Sequence, residues 1–321
     1  MSELSILGAG AFGTALAIAL SRHGNAVTLW ARDSEAVWAM RRDRLNVRRL
    51  PGAPFPAELV VTADLAAATA RQTILLAVPM QSLAGLLEEV VPPTGSALVA
   101  CCKGVDLTSG LGPTGVIAAA CPDAVPAVLT GPSFADDIAH LLPTALTLAA
   151  ADAAVGARLQ RELSTSTLRL YLSRDMVGAE LGGALKNVVA LAAGIAMGAG
   201  FGESARAAII TRGFAEMQRF AATTAADPDT LRGLSGLGDL TLTATSDKSR
   251  NYTAGLALGH GGGVPQGQTV EGVATAAAVA RLAAERGVAM PLTAMVAAVT
   301  RGEVSVHEAA MALLARPLKE E

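Results

Sequence analysis

The stretch Leu4-Ser5-Ile6-Leu7-Gly8-Ala9-Gly10-Ala11-Phe12-Gly13 decides the fold of the amino-terminal half. Its short apolar run predicts a strand, and the glycines that follow open a helical pattern over Thr14–His23. A lone GxGxxG is weak evidence, because glycine-rich turns arise for many reasons. Placed between a strand and a helix it is specific, since that arrangement turns backbone N–H groups and a helix N-terminus onto a pyrophosphate. In this frame Gly8 makes the turn, Gly10 leaves room for phosphate and Gly13 lets the helix pack closely. A plain strand-to-helix turn without a ligand is the alternative, and the flanking elements count against it.

Working outward, β-type runs recur at Ala26–Trp30, Ile74–Val78, Ala97–Cys101 and Ala127–Thr130, with helical patterns between them. That alternation implies an α/β domain with a parallel, doubly wound, Rossmann-like sheet. Two further runs, Ala145–Ala149 and Thr167–Leu172, either extend the same sheet or form an antiparallel edge. After Asp175 the strand-like runs stop, and helical periodicity takes over at Val177–Met197, Ala205–Ala222, Val273–Arg286 and Val304–Ala315. We therefore expect a dinucleotide-binding domain over 1–176 and an all-helical substrate-binding and catalytic domain over 177–321, a division that suits a chain of 321 residues. Arg41–Gly52, with five arginines and a Pro-Gly, reads as an exposed, solvated connector. Gly259–Gly263 reads as a loop.

Composition excludes several classes of function. A net charge of −3 leaves no basic footprint for a nucleic-acid backbone, and 3% aromatic residues are too few for base-stacking platforms. Cys101, Cys102 and Cys121 are odd in number and lack CxxC spacing, so neither a disulfide framework nor a zinc site is expected, and a reducing cytoplasm fits best. His23, His140, His260 and His307 are scattered without ligand spacing, and no metal is expected. The amino terminus carries Glu3 and three glycines where a signal peptide would need a basic segment and an unbroken apolar run. The apolar stretch Val188–Gly202 falls short of the ~20 residues of a membrane helix, so no membrane span is expected.

The second strand ends Leu29-Trp30-Ala31-Arg32, about where an NAD-selective site places an acid on the ribose hydroxyls. Asp33 lies just beyond, but Arg32 precedes it and is suited to a 2′-phosphate, which favours NADPH while leaving NADH open. Ligands of such sheets bind beyond the carboxyl ends of the strands. Val78-Pro79, Lys103-Gly104 and Gly131-Pro132-Ser133-Phe134 all fall at such ends. Alone, Lys103 would read as a solvated surface lysine; its place beside two other Gly/Pro turns reverses that preference.

In the second half, Lys186 and Asn187 are the only strongly polar residues between Glu180 and Glu203. An ammonium buried on so apolar a helix is disfavoured in its charged form, which suits proton exchange with a substrate hydroxyl or carbonyl during hydride transfer. A snorkelling structural lysine is the commoner fate of such a residue, but Gly182-Gly183 would let a cofactor or another backbone approach closely. Asp239, after the turn Leu234-Ser235-Gly236-Leu237-Gly238, is placed to orient Lys186, or else to cap a helix. Ser249-Arg250-Asn251 at a helix start makes a phosphate cradle, or else a capped and solvated helix end.

These residues resemble those of the bacterial-type NAD(P)-dependent sn-glycerol-3-phosphate dehydrogenase family. The matching blocks run in order along nearly the whole chain: Gly8–Ala15, Leu50-Pro51-Gly52, Val78-Pro79, Lys103-Gly104, Gly131–Ala135, Glu180–Val188, Ile210–Gly213, Leu234–Leu240, Ser249–Asn251 and Val270–Gly272. The resemblance implies interconversion of dihydroxyacetone phosphate and sn-glycerol 3-phosphate for glycerophospholipid synthesis, in a cytoplasmic homodimer. It implies that Lys186 is the proton acceptor, with Lys103, Asn187, Asp239 and Thr243 around the substrate hydroxyls. Ser249, Arg250 and Asn251 would meet the phosphate end, and Gly131 and Ser133 belong to a loop touching substrate. Ala11, Phe12, Pro79, Lys103, Ala135 and Arg250 join the glycine turn and Arg32 as cofactor contacts, and Glu271 lies near the nicotinamide end.

Three positions depart from the family's usual pattern: Ala11-Phe12 for Ser-Trp, Arg49 for the tyrosine before Leu-Pro-Gly, and Gly202-Glu203-Ser204-Ala205 for Gly-Asp-Asn-Ala. Without the serine hydroxyl and the indole, backbone amides are expected to supply most of the phosphate grip. Two competing readings are a hydroxy-acid dehydrogenase of the 6-phosphogluconate or hydroxyisobutyrate type and a dinucleotide sensor that has lost catalysis. Arg250-Asn251 and the Gly131–Ala135 loop argue against the first, and Lys103, Lys186 and Asp239 together against the second.

Overall fold

Apolar residues alternate between two cores along the strands of the first unit. On β1 (Glu3–Leu7), Leu4 and Ile6 face one core while Leu7 faces the other. On β7 (Ala97–Ala100), Ala97 and Val99 are divided from Leu98 and Ala100 in the same way. A strand buried on both faces needs helices on both sides. The helix Ala11–Arg22 covers one face through Leu16, Ile18 and Leu20. The helices Leu83–Leu87 and Pro113–Ala120 cover the other. The structure, a computed structural model, describes residues 2–264 and 270–315. It divides into two units, Met1–Glu180 and Leu181–Glu321.

The other strands are β2 (Ala26–Trp30), β3 (Leu45–Asn46), β4 (Leu50–Pro54), β5 (Val60–Thr62), β6 (Thr73–Leu76), β8 (Val125–Thr130), β9 (Thr144–Ala149) and β10 (Leu168–Ser173). Eight of them form one sheet in the order β10-β9-β8-β7-β6-β1-β2-β5. Pairing is parallel from β5 to β8, antiparallel between β8 and β9, and parallel again between β9 and β10. The two runs left open by the sequence thus both extend the sheet, with their direction reversed. β1 pairs with β2 on one side and β6 on the other, which makes its carboxyl end the point where the strand order switches.

Two expectations are corrected. Arg41–Gly52 is not a bare connector: it holds the end of the helix Ser34–Asp43 and most of an antiparallel β3–β4 ribbon, in which Asn46 and Leu50 are buried. Its arginines point outward or bond backbone carbonyls, as Arg41 does with Val61, so charge alone concealed the inward-facing residues. The apolar stretch judged too short for a membrane belongs to a helix of 23 residues, Met176–Gly198, long and apolar enough to cross one. Lys186 and Asn187 lie inside this helix with polar partners and do not interrupt it. Of its most apolar window, 83% is buried within the protein, the condition of a core helix.

Among its described residues the second unit contains helices and loops only. Leu185 and Val189 of the long helix join Phe220 and Leu240 in one core, and Val188 and Leu191 join Leu258 and Val296 in another. Residues three or four apart thus share a core while the neighbours Val188 and Val189 face different ones, as they must on a helix buried nearly all round.

Candidate active site

In the first unit the glycine turn is set by backbone, not by side chains. Gly8 has φ +116°, and a Cβ there would lie 2.5 Å from the Ala77 carbonyl oxygen at the end of β6. A Cβ on Gly13 would overlap the Gly8 carbonyl oxygen and come within 2.9 Å of Ala77 Cβ. Gly10 differs, since a Cβ there meets nothing nearer than 4.0 Å. Its smallness serves no internal packing and leaves room for a group from outside. Gly10 also caps the helix Ala11–Arg22 with no side-chain hydrogen bond, so the N–H groups of the first turn keep the anion-binding character of an uncapped helix start. These features fit a dinucleotide pyrophosphate, and Ala11 and Phe12 enter through their backbone.

Sequence reasoning missed the brace behind this turn. Asn46 of β3 donates from Nδ2 to the Ala9 carbonyl oxygen at 3.0 Å and to Thr14 Oγ1 at 2.9 Å. An asparagine inside an arginine run gives no local signal, because its partners lie more than thirty residues away. At the end of β2, Arg32 is exposed, whereas Asp33 caps the helix Ser34–Asp43 through bonds from the Glu35 and Ala36 N–H groups at 3.0 and 3.2 Å. Arg48 approaches Asp33 at 3.8 Å.

The turns after β6, β7 and β8 fall on the same edge as Gly8, because these strands run parallel to β1. Pro79 follows β6. Lys103 follows β7 and donates from Nζ to the Gly131 carbonyl oxygen at 3.3 Å, while Ser133 Oγ donates to the same oxygen at 3.3 Å. Gly131 has φ +137°, and Ala135 opens the next short helix. The structure therefore joins Lys103, Gly131 and Ser133 in one cluster.

In the second unit, Lys186 is 6% exposed and Asp239 1%. Lys186 Nζ lies 3.1 Å from Asp239 Oδ1 and donates to Thr243 Oγ1 at 2.7 Å, and Thr243 Oγ1 donates to Asp239 Oδ1 at 3.1 Å. The three close a triangle. The buried Lys186 ammonium is thus met by a carboxylate and a hydroxyl, the pairing that a charge taken out of water requires. A Cβ on Gly182 would sit 2.6 Å from the Ser235 carbonyl oxygen, so the approaching backbone anticipated there is the π-helical turn Leu234–Gly238. That turn delivers Asp239 at the start of the helix Asp239–Ala244, and Thr243 follows one turn later.

Beside the triangle runs a chain of amides. Asn251 Nδ2 donates to Asn187 Oδ1 at 2.9 Å, Asn187 Nδ2 donates to Glu271 Oε2 at 3.2 Å, and the Gly272 N–H donates to Asn251 Oδ1 at 2.8 Å. Ser249 Oγ accepts from the Tyr252 N–H at 3.2 Å as the cap of the helix Arg250–Gly259, while Arg250 is exposed at its first position. Ser249 and Asn251 are thus engaged in holding the helix start in shape, and Arg250 is its outward-facing cation.

Comparison with known proteins agrees with these two halves. Residues 3–156 match the family described as NAD-dependent glycerol-3-phosphate dehydrogenase N-terminus, and residues 175–311 match its C-terminus. The chain is 58% identical over 319 residues to a glycerol-3-phosphate dehydrogenase, NAD(P)+, of Cereibacter sphaeroides, covering 99% of this chain and 100% of that one. It is 56% identical to the protein of the same name from Paracoccus denitrificans, with the same coverage. Among solved structures, glycerol-3-phosphate dehydrogenase from Coxiella burnetii superposes with a TM-score of 0.92 at 36% identity, covering 98% of this chain and 99% of that one. D-Mandelate dehydrogenase, at 16% identity and a TM-score of 0.66, shares the fold alone. The chain belongs to the NAD-dependent glycerol-3-phosphate dehydrogenase family.

Proposed function

We propose that this protein is an NAD(P)-dependent sn-glycerol-3-phosphate dehydrogenase, interconverting dihydroxyacetone phosphate and sn-glycerol 3-phosphate. The observation that carries the chemical assignment is the buried triangle Lys186–Asp239–Thr243, in a chain 58% identical to an enzyme of that name. The first unit holds the dinucleotide through the uncapped start of the helix Ala11–Arg22 and the Gly8–Gly13 backbone, with Arg32 toward a 2′-phosphate. Bound there, the nicotinamide supplies or accepts the hydride at substrate C2.

Lys186 handles the proton. In the reducing direction its ammonium donates to the C2 carbonyl oxygen as negative charge gathers there, and the proton passes to that oxygen to give the hydroxyl. In the oxidising direction the neutral amine takes the hydroxyl proton. Positioned proton transfer of this kind is worth about 10²–10⁴-fold in rate. Asp239 Oδ1 and Thr243 Oγ1 fix two of the N–H directions and orient the ammonium. Arg250 and the start of its helix take the phosphate by charge-assisted hydrogen bonds, while Asn187 and Asn251 hold that start against the Lys186 helix. The family resemblance extends a substrate-contacting role to the cluster of Lys103, Gly131 and Ser133. Supply of a glycerophospholipid precursor and a homodimeric assembly are inferred from family resemblance. Cys101, Cys102 and Cys121 are buried, and a reducing cytoplasm is the compartment inferred from their odd number and spacing.

The test is oxidation of NADPH and NADH on addition of dihydroxyacetone phosphate, beside 2-keto acids and a no-substrate control. Turnover with the phosphorylated ketone alone is expected. Equal turnover with keto acids would restore the hydroxy-acid reading, and cofactor binding without turnover would restore the sensor.

A further inference from the structure

The helices Met176–Gly198 and Arg250–Gly259 each carry two glycines one turn apart, Gly194 with Gly198 and Gly255 with Gly259. Their relation is reciprocal. A Cβ on Gly194 would overlap the Tyr252 carbonyl oxygen and lie 3.0 Å from Gly255 Cα; one on Gly255 would overlap the Leu191 carbonyl oxygen and lie 2.9 Å from Gly194 Cα. The next turn repeats this: a Cβ on Gly198 would overlap the Leu256 carbonyl oxygen, and one on Gly259 the Ile195 carbonyl oxygen. Partners rise together along both chains, so the two helices run parallel, backbone against backbone. Glycine is the poorest helix former after proline, so four of them in two helices weaken both unless the close approach itself is needed.

The seam leads to the site. One end is closed by the hydrogen bond between Asn251 and Asn187 at 2.9 Å, and a Cβ on Gly272 would press against the Asn187 carbonyl oxygen at 2.7 Å. Lys186 precedes Asn187 and Arg250 precedes Asn251, so the proton-exchanging group and the phosphate-binding turn sit on the two rails of one seam. Contact between backbones cannot be absorbed by side-chain rotation, which makes the span between those groups stiff. In dihydroxyacetone phosphate the same span is bridged by a C2 carbonyl and a phosphate ester on the next carbon.

We propose that Gly194, Gly198, Gly255 and Gly259 are specificity-determining positioning residues, whose contact fixes the span between Lys186 and the Ser249–Asn251 turn and so selects a carbonyl on the carbon next to a phosphate ester. This rests on the reading of Lys186 and Arg250 given above. An alanine at Gly194 or Gly255 drives the rails apart near the site. A methyl at Gly198 or Gly259 does so one turn further away, with a smaller effect at the site.

The experiment compares full-length holoenzyme carrying Gly194→Ala, Gly255→Ala, Gly198→Ala or Gly259→Ala with the unmodified protein. Readouts are kcat and KM for dihydroxyacetone phosphate and for dihydroxyacetone, which lacks the phosphate, together with calorimetric binding of sn-glycerol 3-phosphate. A displacement of about 1 Å can cost on the order of 100-fold in rate. The expected result is a fall of at least about 10-fold in the preference for the phosphorylated ketone at Gly194→Ala, carried by reduced kcat as well as raised KM, with weaker product binding and little change for dihydroxyacetone. Should Gly194→Ala and Gly255→Ala fail to fold, the Gly198→Ala and Gly259→Ala variants show the same trend at smaller size. An unchanged preference in folded variants, or an equal loss on both substrates, overturns the proposal while the functional reading stands. An unmodified protein with no preference for the phosphorylated ketone overturns the functional reading and this proposal with it.

Discussion

Replacing Glu180 by glutamine should stabilise the first unit at alkaline pH and leave it nearly unchanged in acid. Glu180 Oε1 accepts from the Thr114 N–H at 2.6 Å at the start of the helix Pro113–Ala120, and its carboxyl carbon lies 3.0 Å from where a Gly112 Cβ would stand. Burial pushes this carboxyl up from 4.5 to about 7; bonds from Thr114 pull it down, and the neighbouring Asp175 charge adds to the rise. The folded state therefore keeps a proton that the unfolded chain releases above its ordinary value. Stability is greatest below that value, declines as pH climbs toward 7, and is level beyond. A displacement of this size corresponds to at most about 3 kcal/mol at pH 8. The amide of Glu180→Gln keeps an oxygen for the Thr114 N–H and has no proton to lose. Both tryptophans, Trp30 and Trp38, lie in the first unit, so urea unfolding followed by their fluorescence reports on it. At pH 5 the two proteins should unfold together. At pH 8 the variant's midpoint should be higher, by about 1 M for a slope near 3 kcal/mol/M. A gap of the same size at both pH values, or none at pH 8, would refute the reasoning.

Lys186→Met should lower kcat with dihydroxyacetone phosphate by about 10²–10⁴-fold while cofactor binding, followed by NADPH fluorescence, persists; turnover within tenfold of the unmodified enzyme removes Lys186 from the proton step. Arg32→Ala should raise KM for NADPH by about tenfold and leave NADH unaffected, as expected for loss of a charge-assisted contact to a 2′-phosphate; equal changes for both cofactors count against that role. Asn46→Ala deprives the Ala9 carbonyl and Thr14 of their partner, at about 1–3 kcal/mol. It should raise KM for either cofactor with little change in kcat, and unaltered cofactor binding would show that the brace is dispensable.

What could be read from the sequence was what local chemistry dictates. The Gly8–Gly13 turn was legible because the positive φ of Gly8 and the clashes at Gly13 are constraints on residue type at fixed spacing. Lys186, Asp239 and Arg250 stood out because polar groups are conspicuous in apolar or glycine-rich surroundings. The reversal between β8 and β9 was not legible, since a run buried on both faces has the same composition in either direction. Asn46 was hidden because its role depends on a turn far back in the chain. The pairing of Asn251 with Asn187 and Gly272 was hidden too, because those partners lie far off in the chain. The one overlooked local signal was the paired glycine spacing at 194/198 and 255/259.

The helix cap at Asp33 bears on how cofactor choice could evolve or be redesigned. The acid nearest the second strand already holds a helix start through Oδ1, so a ribose hydroxyl recruited to it would share that carboxylate with the Glu35 and Ala36 N–H groups. An acid installed at position 32 would stand next to that carboxylate and repel it. Asp33→Ser keeps a capping oxygen while removing the charge. A lineage drifting toward NADH would meet less resistance by changing position 33 before position 32, a path of two ordered substitutions through a folded intermediate.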